Sequence, residues 1–177
     1  MNRKKSTKKA PAKPAKATVK KSPTKSPAKK IILRELTRAE IPGIFPLVHL
    51  HNPGITQALF AKRLKDMLPF GYRALAAFDG ARMVAVSGFW LHSRFWCGRH
   101  LDIDNFFVHP DYRANGLGKK LVAWLEARAL AEKCDLIVLD MYTSNHLAQR
   151  FYHREGFVAT GYHMTKIPGT TVPWSKG

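Results

Sequence analysis

The sequence predicts a single α/β domain over residues 31–177, built on a mixed central sheet with helices on both faces and preceded by a basic tail over residues 1–30. Three observations carry this reading. From residue 31 onward, short apolar runs with strand character alternate with amphipathic stretches of helical period, the pattern of a layered α/β domain. The chain has 177 residues, enough for one ordinary domain and too few for two. Residues 1–30 differ in kind: they contain Arg3 and 11 lysines, no acidic residue, and otherwise only Ala, Pro, Ser, Thr, Asn, one Met and one Val. Such a segment cannot bury enough apolar surface to offset the entropy of ordering, so it reads as disordered.

The elements follow in order. Residues 31–35 open the domain as a strand. Thr37, with Glu40 three positions on, has capping-box spacing and begins a helix toward His49 that Pro42 and Pro46 keep short or irregular. After the turn at Asn52-Pro53-Gly54, a second helix starts near Thr56, repeats Leu59, Phe60, Leu64 and Met67 on its apolar side, and ends before Pro69 and Gly71. Residues 72–78 and 83–91, joined around Asp79-Gly80, form a hairpin. A tight connection at residues 95–98 leads to a strand at 100–109 that Pro110 stops. Residues 116–133 are a helix with Leu117, Leu121, Trp124, Leu125 and Ala129 near one face. Residues 136–141 are a short buried strand, 144–154 a helix and 157–167 a last strand. The expected order is β-α-α-β-β-β-α-β-α-β, without internal repeats.

Composition excludes several classes. No apolar run approaches the roughly 18 residues of a membrane span, and the N-terminus lacks the apolar stretch of a secretory signal, so a soluble cytoplasmic protein with no membrane partner is expected. Cys97 and Cys134, 37 positions apart and in no CxxC pair, supply neither a disulfide framework nor a zinc-ligand pattern; both read as reduced, Cys134 as core, and no metal is expected. The net charge of +18 is uneven: the tail holds +12, leaving 18 basic against 12 acidic groups, or +6, in the rest. The repeats Ser22-Pro23-Thr24-Lys25 and Ser26-Pro27-Ala28-Lys29 are similar to the lysine-rich tails of linker histones, which implies loose contact with nucleic-acid phosphates and nucleoid or chromatin association. A solubilising extension is the competing reading. An amphipathic mitochondrial presequence fits less well, because lysine stands in place of arginine and the prolines prevent a helix.

The most informative stretch is Arg113-Ala114-Asn115-Gly116-Leu117-Gly118, an R-x-x-G-x-G turn between a strand and an amphipathic helix. Glycines let backbone amides approach a ligand, and the helix N-terminus adds N–H donors and partial positive charge, the physics of an anion site. Lys119 and Lys120 add charge nearby. A plain turn would look the same on these six residues alone.

The surroundings separate the two. Asp104-Asn105-Phe106-Phe107-Val108-His109-Pro110-Asp111-Tyr112-Arg113 leading into the glycine turn, then Asn145, Ala148, Phe151-Tyr152 and Gly156-Phe157, resemble the GNAT superfamily of acyl-CoA N-acyltransferases over nearly all of residues 31–167. The resemblance implies a GNAT-type sheet splayed between the strands at 100–109 and 136–141. It implies acetyl-CoA as cosubstrate, its pyrophosphate held by Arg113, Ala114, Asn115, Gly116, Leu117 and Gly118, with Lys119 adjacent, and its pantetheine arm paired with the backbones of Phe106, Phe107 and Val108. With no Walker lysine motif and no G-x-G-x-x-G, CoA is preferred over a nucleoside triphosphate or NAD.

An amine with a pKa of roughly 10.4 must lose a proton before it attacks a thioester, so a base or a water chain is useful. The resemblance puts that base at Asp104, where the family frequently has the longer Glu; Asp102 and His100 are alternatives, and a purely local backbone-orienting role for Asp104 stays open. It likewise puts at Tyr152 the phenol that protonates the departing CoA thiolate, although Leu147 with Phe151 and Ala148 with Tyr152 repeat at core spacing. Asn145 is a helix cap or a CoA contact. His146 and His153 read as solvent-facing. Phe89, Trp90, Phe95 and Trp96 are read as core, acceptor pocket or interface, with Trp96 the exposed one. The function expected is an N-acetyltransferase acting on a protein lysine, an N-terminus or a small amine by direct attack in a ternary complex; no cysteine beside a histidine suggests an acyl-enzyme. The other class is a nucleic-acid-associated binding protein whose CoA fold is regulatory or inactive. The acceptor and the oligomeric state, monomer or homodimer, are not legible.

Overall fold

The structure, a computed structural model, describes residues 30–171, so the basic tail expected at the N-terminus lies, Lys30 apart, outside the described residues. Five strands lie in chain order across one sheet: β1 (Ile31–Glu35), β2 (Arg73–Asp79), β3 (Arg82–Arg94), β4 (Gly98–Val108) and β5 (Leu136–Leu139). The first four are antiparallel neighbours, and β5 runs parallel to β4. Side chains alternate across β2 and β3, so Ala74, Ala76 and Val86 meet α1 (Phe45–His51) and α2 (Gln57–Met67), while Leu75, Ala77, Ala85 and Phe89 meet α3 (Leu117–Ala131). Leu121 and Leu125 of α3 are fully buried, each such burial stabilising by about 1.5–3 kcal/mol. A further helix, α4 (His146–Arg154), follows β5.

Most expected elements form, and α2 begins next to Thr56 as expected; the structure adds that Thr56 caps it, accepting from the Leu59 amide at 3.2 Å. One expectation is met in part and one fails. Thr37 and Glu40 make only half a capping box: the Glu40 carboxylate accepts from the Thr37 amide and hydroxyl, each at 2.8 Å, but the chain then makes a 3₁₀ turn at Ile41–Ile44 and α1 starts at Phe45. Pro42 and Pro46 set that sequence of turns. The last strand expected at 157–167 is absent: the segment pairs with no strand among the described residues. Its apolar side chains Val158, Tyr162 and Met164 stay 75, 88 and 88 % exposed, so strand pairing there would gain little burial.

Two irregularities place the site. Pairing of β4 with β5 stops at Ile103 opposite Leu139, while β4 continues to Val108, so the sheet splays open there as expected. At the same level β4 bulges: Val86 faces Phe107 and Gly88 faces Asp104, leaving Ser87 opposite two residues, with Asn105 at φ 48°.

Candidate active site

On β4 the period of two puts His100, Asp102 and Asp104 on one face, that of α1 and α2. Without interruption Phe106 would follow them. The bulge at Asn105 reverses the alternation, so Phe107 joins the α1 and α2 core and Phe106 packs toward α3. Phe106 sits where the sheet splays, its ring 5.8 Å from Phe151 and 5.9 Å from Tyr152, both on α4.

The splay opens a cleft of about 840 Å³. Val48, Phe60 and Leu64 of the helices form one wall; Asp102 and Asp104 of β4, Asp140 beyond β5 and Tyr152 of α4 lie on the other sides. Asp104 and Tyr152, far apart in sequence, therefore share one cavity, with Phe106 and Asn145 also in its lining. Burial raises the Asp104 carboxyl to about 6, and the charges of Asp102 and Asp140 push the same way, against a backbone hydrogen bond from Asn105. The Asn105 side chain also donates from Nδ2 to Asp104 Oδ2. Burial likewise pushes the Tyr152 phenol up to about 12, so near neutral pH it holds its proton as a donor. Its ring is boxed by Phe106, Phe151 and Phe157 and also lines the cleft.

The glycine turn lies outside the cleft lining, with Gly118 close against the Phe151 ring. Ala114 and Gly116 have φ of 61° and 73°, and α3 begins with no side-chain cap and no acid in its first turn. Its first intrahelical hydrogen bond runs from the Lys120 amide to the Gly116 carbonyl, so the amides of Leu117, Gly118 and Lys119 lie ahead of the ladder at the positive helix end. Arg113 ties the turn to β4: its Nε donates to the Val108 carbonyl at 3.0 Å and its guanidinium stands 5.3 Å from the Phe107 ring centre. Gly118 is small for a reason, since a Cβ there would lie 3.1 Å from Phe151 Cζ. Asn145 caps α4, its Oδ1 accepting from the Ala148 amide at 3.1 Å. His146 and His153 are exposed, as is Trp96, joined by Phe95, whereas Phe89 is fully buried and Cys97 and Cys134 are free thiols.

Sequence reasoning missed Tyr72, Gly88 and Asp140. The signal for Gly88 was present: a glycine inside a strand marks a close approach. Here the approaching group is the Tyr72 ring. Asp140 and Tyr72 carried no signal, because only the tertiary fold brings them to Asp104.

Comparison with known proteins agrees with this arrangement. Residues 42–157 match the acetyltransferase (GNAT) family. The chain is 33 % identical over 142 residues to an aminoalkylphosphonate N-acetyltransferase of Salmonella typhimurium, covering 76 % of this chain and 89 % of that one. A thialysine N-epsilon-acetyltransferase of Sus scrofa is 27 % identical over 95 residues, 51 % of this chain and 56 % of its own length. Among solved structures, glucosamine-6-phosphate N-acetyltransferase from Arabidopsis thaliana aligns with a TM-score of 0.61 at 20 % identity, over 78 % of this chain and 99 % of that one. An aminoglycoside N-acetyltransferase, AAC(6')-Iy in complex with CoA, aligns with a TM-score of 0.69 at 15 % identity, over 80 % and 96 %. The mixed sheet, its splay and the glycine turn define an acyl-CoA-dependent N-acetyltransferase. The chain belongs to the GNAT family.

Proposed function

We propose that the protein transfers an acetyl group from acetyl-CoA to the primary amine of a small molecule, by direct attack in a ternary complex. The observation that carries this reading is the shared cleft of about 840 Å³, into which β4 brings Asp104 and α4 brings Tyr152. Asp102, Asp104 and Asp140 give that cleft a carboxylate side that attracts an ammonium ion, and the walls from α1 and α2 suit a compact acceptor better than an extended polypeptide. Relatives named for aminoalkylphosphonate, thialysine and spermine acceptors support the same size class.

Chemically, Asp104 takes a proton from the ammonium group, directly or through water, its raised affinity for protons bringing it nearer to neutral pH than an ordinary aspartate. The neutral nitrogen attacks the thioester carbonyl carbon; the C–N bond forms, the C–S bond breaks, the Tyr152 hydroxyl gives its proton to the departing sulfur, and the surplus proton lost by the new amide nitrogen returns through water to the Tyr152 oxygen. The amides at Leu117, Gly118 and Lys119, with Arg113 holding the turn, provide donors for the CoA pyrophosphate. The backbone of residues 106–108, left without a β5 neighbour by the splay, offers hydrogen bonds to the pantetheine arm. Asn145 at the cap of α4 lies at the same cleft.

The test is a thiol-release screen with acetyl-CoA against aminoalkylphosphonates, basic amino acids, polyamines, lysine peptides and peptides with free N-termini. Turnover concentrated in the small amines supports the reading. Turnover confined to the peptides would overturn the acceptor class, and acetyl-CoA binding with no turnover on any amine would overturn the reaction.

A further inference from the structure

On the same face of β4, beside the Asp102 carboxylate that lines the cleft, lie two histidines that the acetyl transfer leaves unused. His92 of β3 and His100 of β4 stand directly opposite each other in the ladder, with ring centres 4.3 Å apart. Asp102 is the next residue on that face, its Oδ2 3.4 Å from His92 Nε2. The ligand atoms of the three lie within 4.8 Å of one another.

His100 Nδ1 is 3.1 Å from the Gly98 carbonyl, which can only accept, an arrangement that favours the proton on Nδ1 and the lone pair on Nε2. Cys97 Sγ lies 3.3 Å from the same Nδ1. His100 is fully buried, yet its Nε2 has no hydrogen-bond partner among the described residues, and the buried Nε2 of His92 has none either. Buried imidazole nitrogens without a hydrogen bond are costly in a native fold. A protonated His92 paired with Asp102 would leave His100 Nε2 as it is. A cation held by all three removes both vacancies at once.

We propose that His92 Nε2, His100 Nε2 and a carboxylate oxygen of Asp102 bind one zinc-class divalent cation. The donor set is two imidazoles and a carboxylate, a combination that suits Zn²⁺ and leaves a fourth tetrahedral position for water. The outer partners are in place: the Gly98 carbonyl fixes the His100 ring, and Arg94, with NH2 3.5 Å from Asp102 Oδ2, orients the carboxylate. Asp102 also lines the acceptor cleft, so the ion would set a positive charge beside its carboxylate side. Spacing could not reveal this site, because His92 and His100 meet only through the register of β3 on β4.

The experiment uses full-length protein without a histidine tag, stripped with a chelator and titrated with Zn²⁺ against a chromophoric competitor, and separately with Co²⁺ followed by visible absorption. One equivalent of Zn²⁺ at micromolar affinity or tighter and the ligand-field bands of tetrahedral Co²⁺ are expected. His92→Ala and Asp102→Asn should each weaken Zn²⁺ binding by at least about 100-fold, since even outer partners of metal ligands are worth roughly 10- to 100-fold. These two positions carry the test because His100 is fully buried and its replacement risks the fold; circular dichroism checks that both variants remain folded. Absence of stoichiometric Zn²⁺ binding, or equal affinity in wild type and both folded variants, overturns the site.

Discussion

The Tyr72 ring occupies the space that a side chain at Gly88 would fill: a Cβ built on Gly88 would lie 2.6 Å from Tyr72 Cε2 and 2.7 Å from Cζ. Gly88 also pairs with Asp104 across the β3–β4 ladder, so the missing side chain lets Tyr72 reach the bulge that carries the proposed base. Tyr72 is held well above the ordinary tyrosine range, chiefly by burial and next by the charge of Asp104, while a hydrogen bond from Asn105 acts the other way. Gly88→Ala should therefore displace Tyr72 and disturb Asp104, costing about 1–3 kcal/mol of stability from overpacking. Chemical denaturation and turnover, measured together, should both fall; unchanged values in both would mean that Tyr72 yields freely.

Tyr152→Phe keeps the ring that packs against Phe106, Phe151 and Phe157 and removes only the hydroxyl. Turnover should drop by about 10²-fold, as for loss of a general acid, with little change in acetyl-CoA affinity. Steady-state kinetics with calorimetric binding separates the two quantities. Full activity would return Tyr152 to packing alone.

At Gly116 the space around a Cβ is open, with nothing within 4 Å, but φ is 73°. Gly116→Glu strains that conformation and sets a carboxylate at the positive end of α3, so acetyl-CoA binding should be lost. Calorimetry reporting wild-type affinity in this variant would remove the pyrophosphate assignment.

Glu40 supplies the pH dependence. Its carboxyl is lowered from 4.5 to about 2, first by the hydrogen bond from Arg34 and then by those from the Thr37 backbone and hydroxyl. A depressed acid stabilises the fold above its unfolded value and loses that contribution as pH falls from 4.5 through about 2. The pair is open to solvent, so the effect is small and screened by salt. Thermal unfolding of wild type and Glu40→Gln should differ at neutral pH and converge toward the lower limit of that window; a constant difference across it would show that Glu40 acts by packing.

The layering, most elements and the glycine turn were legible because each rests on local chemistry: a helix start near Thr56, Asp79-Gly80 at a turn, Leu121 and Leu125 on one helical face. The false strand at 157–167 shows the limit. Its apolar residues look like a strand's, but strand formation needs a face to bury, and among the described residues none covers Val158 or Tyr162. The reversal of Phe106 and Phe107 was equally hidden, because a bulge depends on the partner strand. The same holds for Asp140, which reaches Asp104 only through the fold of the segment after β5.

The most direct test of the account is the turnover of Asp104→Asn with the best small amine found in the screen, at saturating acetyl-CoA, alongside acetyl-CoA affinity measured by calorimetry. The exchange keeps the size of the side chain and removes its ability to take a proton. A loss of turnover of about 10²-fold or more with acetyl-CoA affinity essentially unchanged is predicted. Wild-type turnover in this variant would contradict the assignment of Asp104 as the proton acceptor.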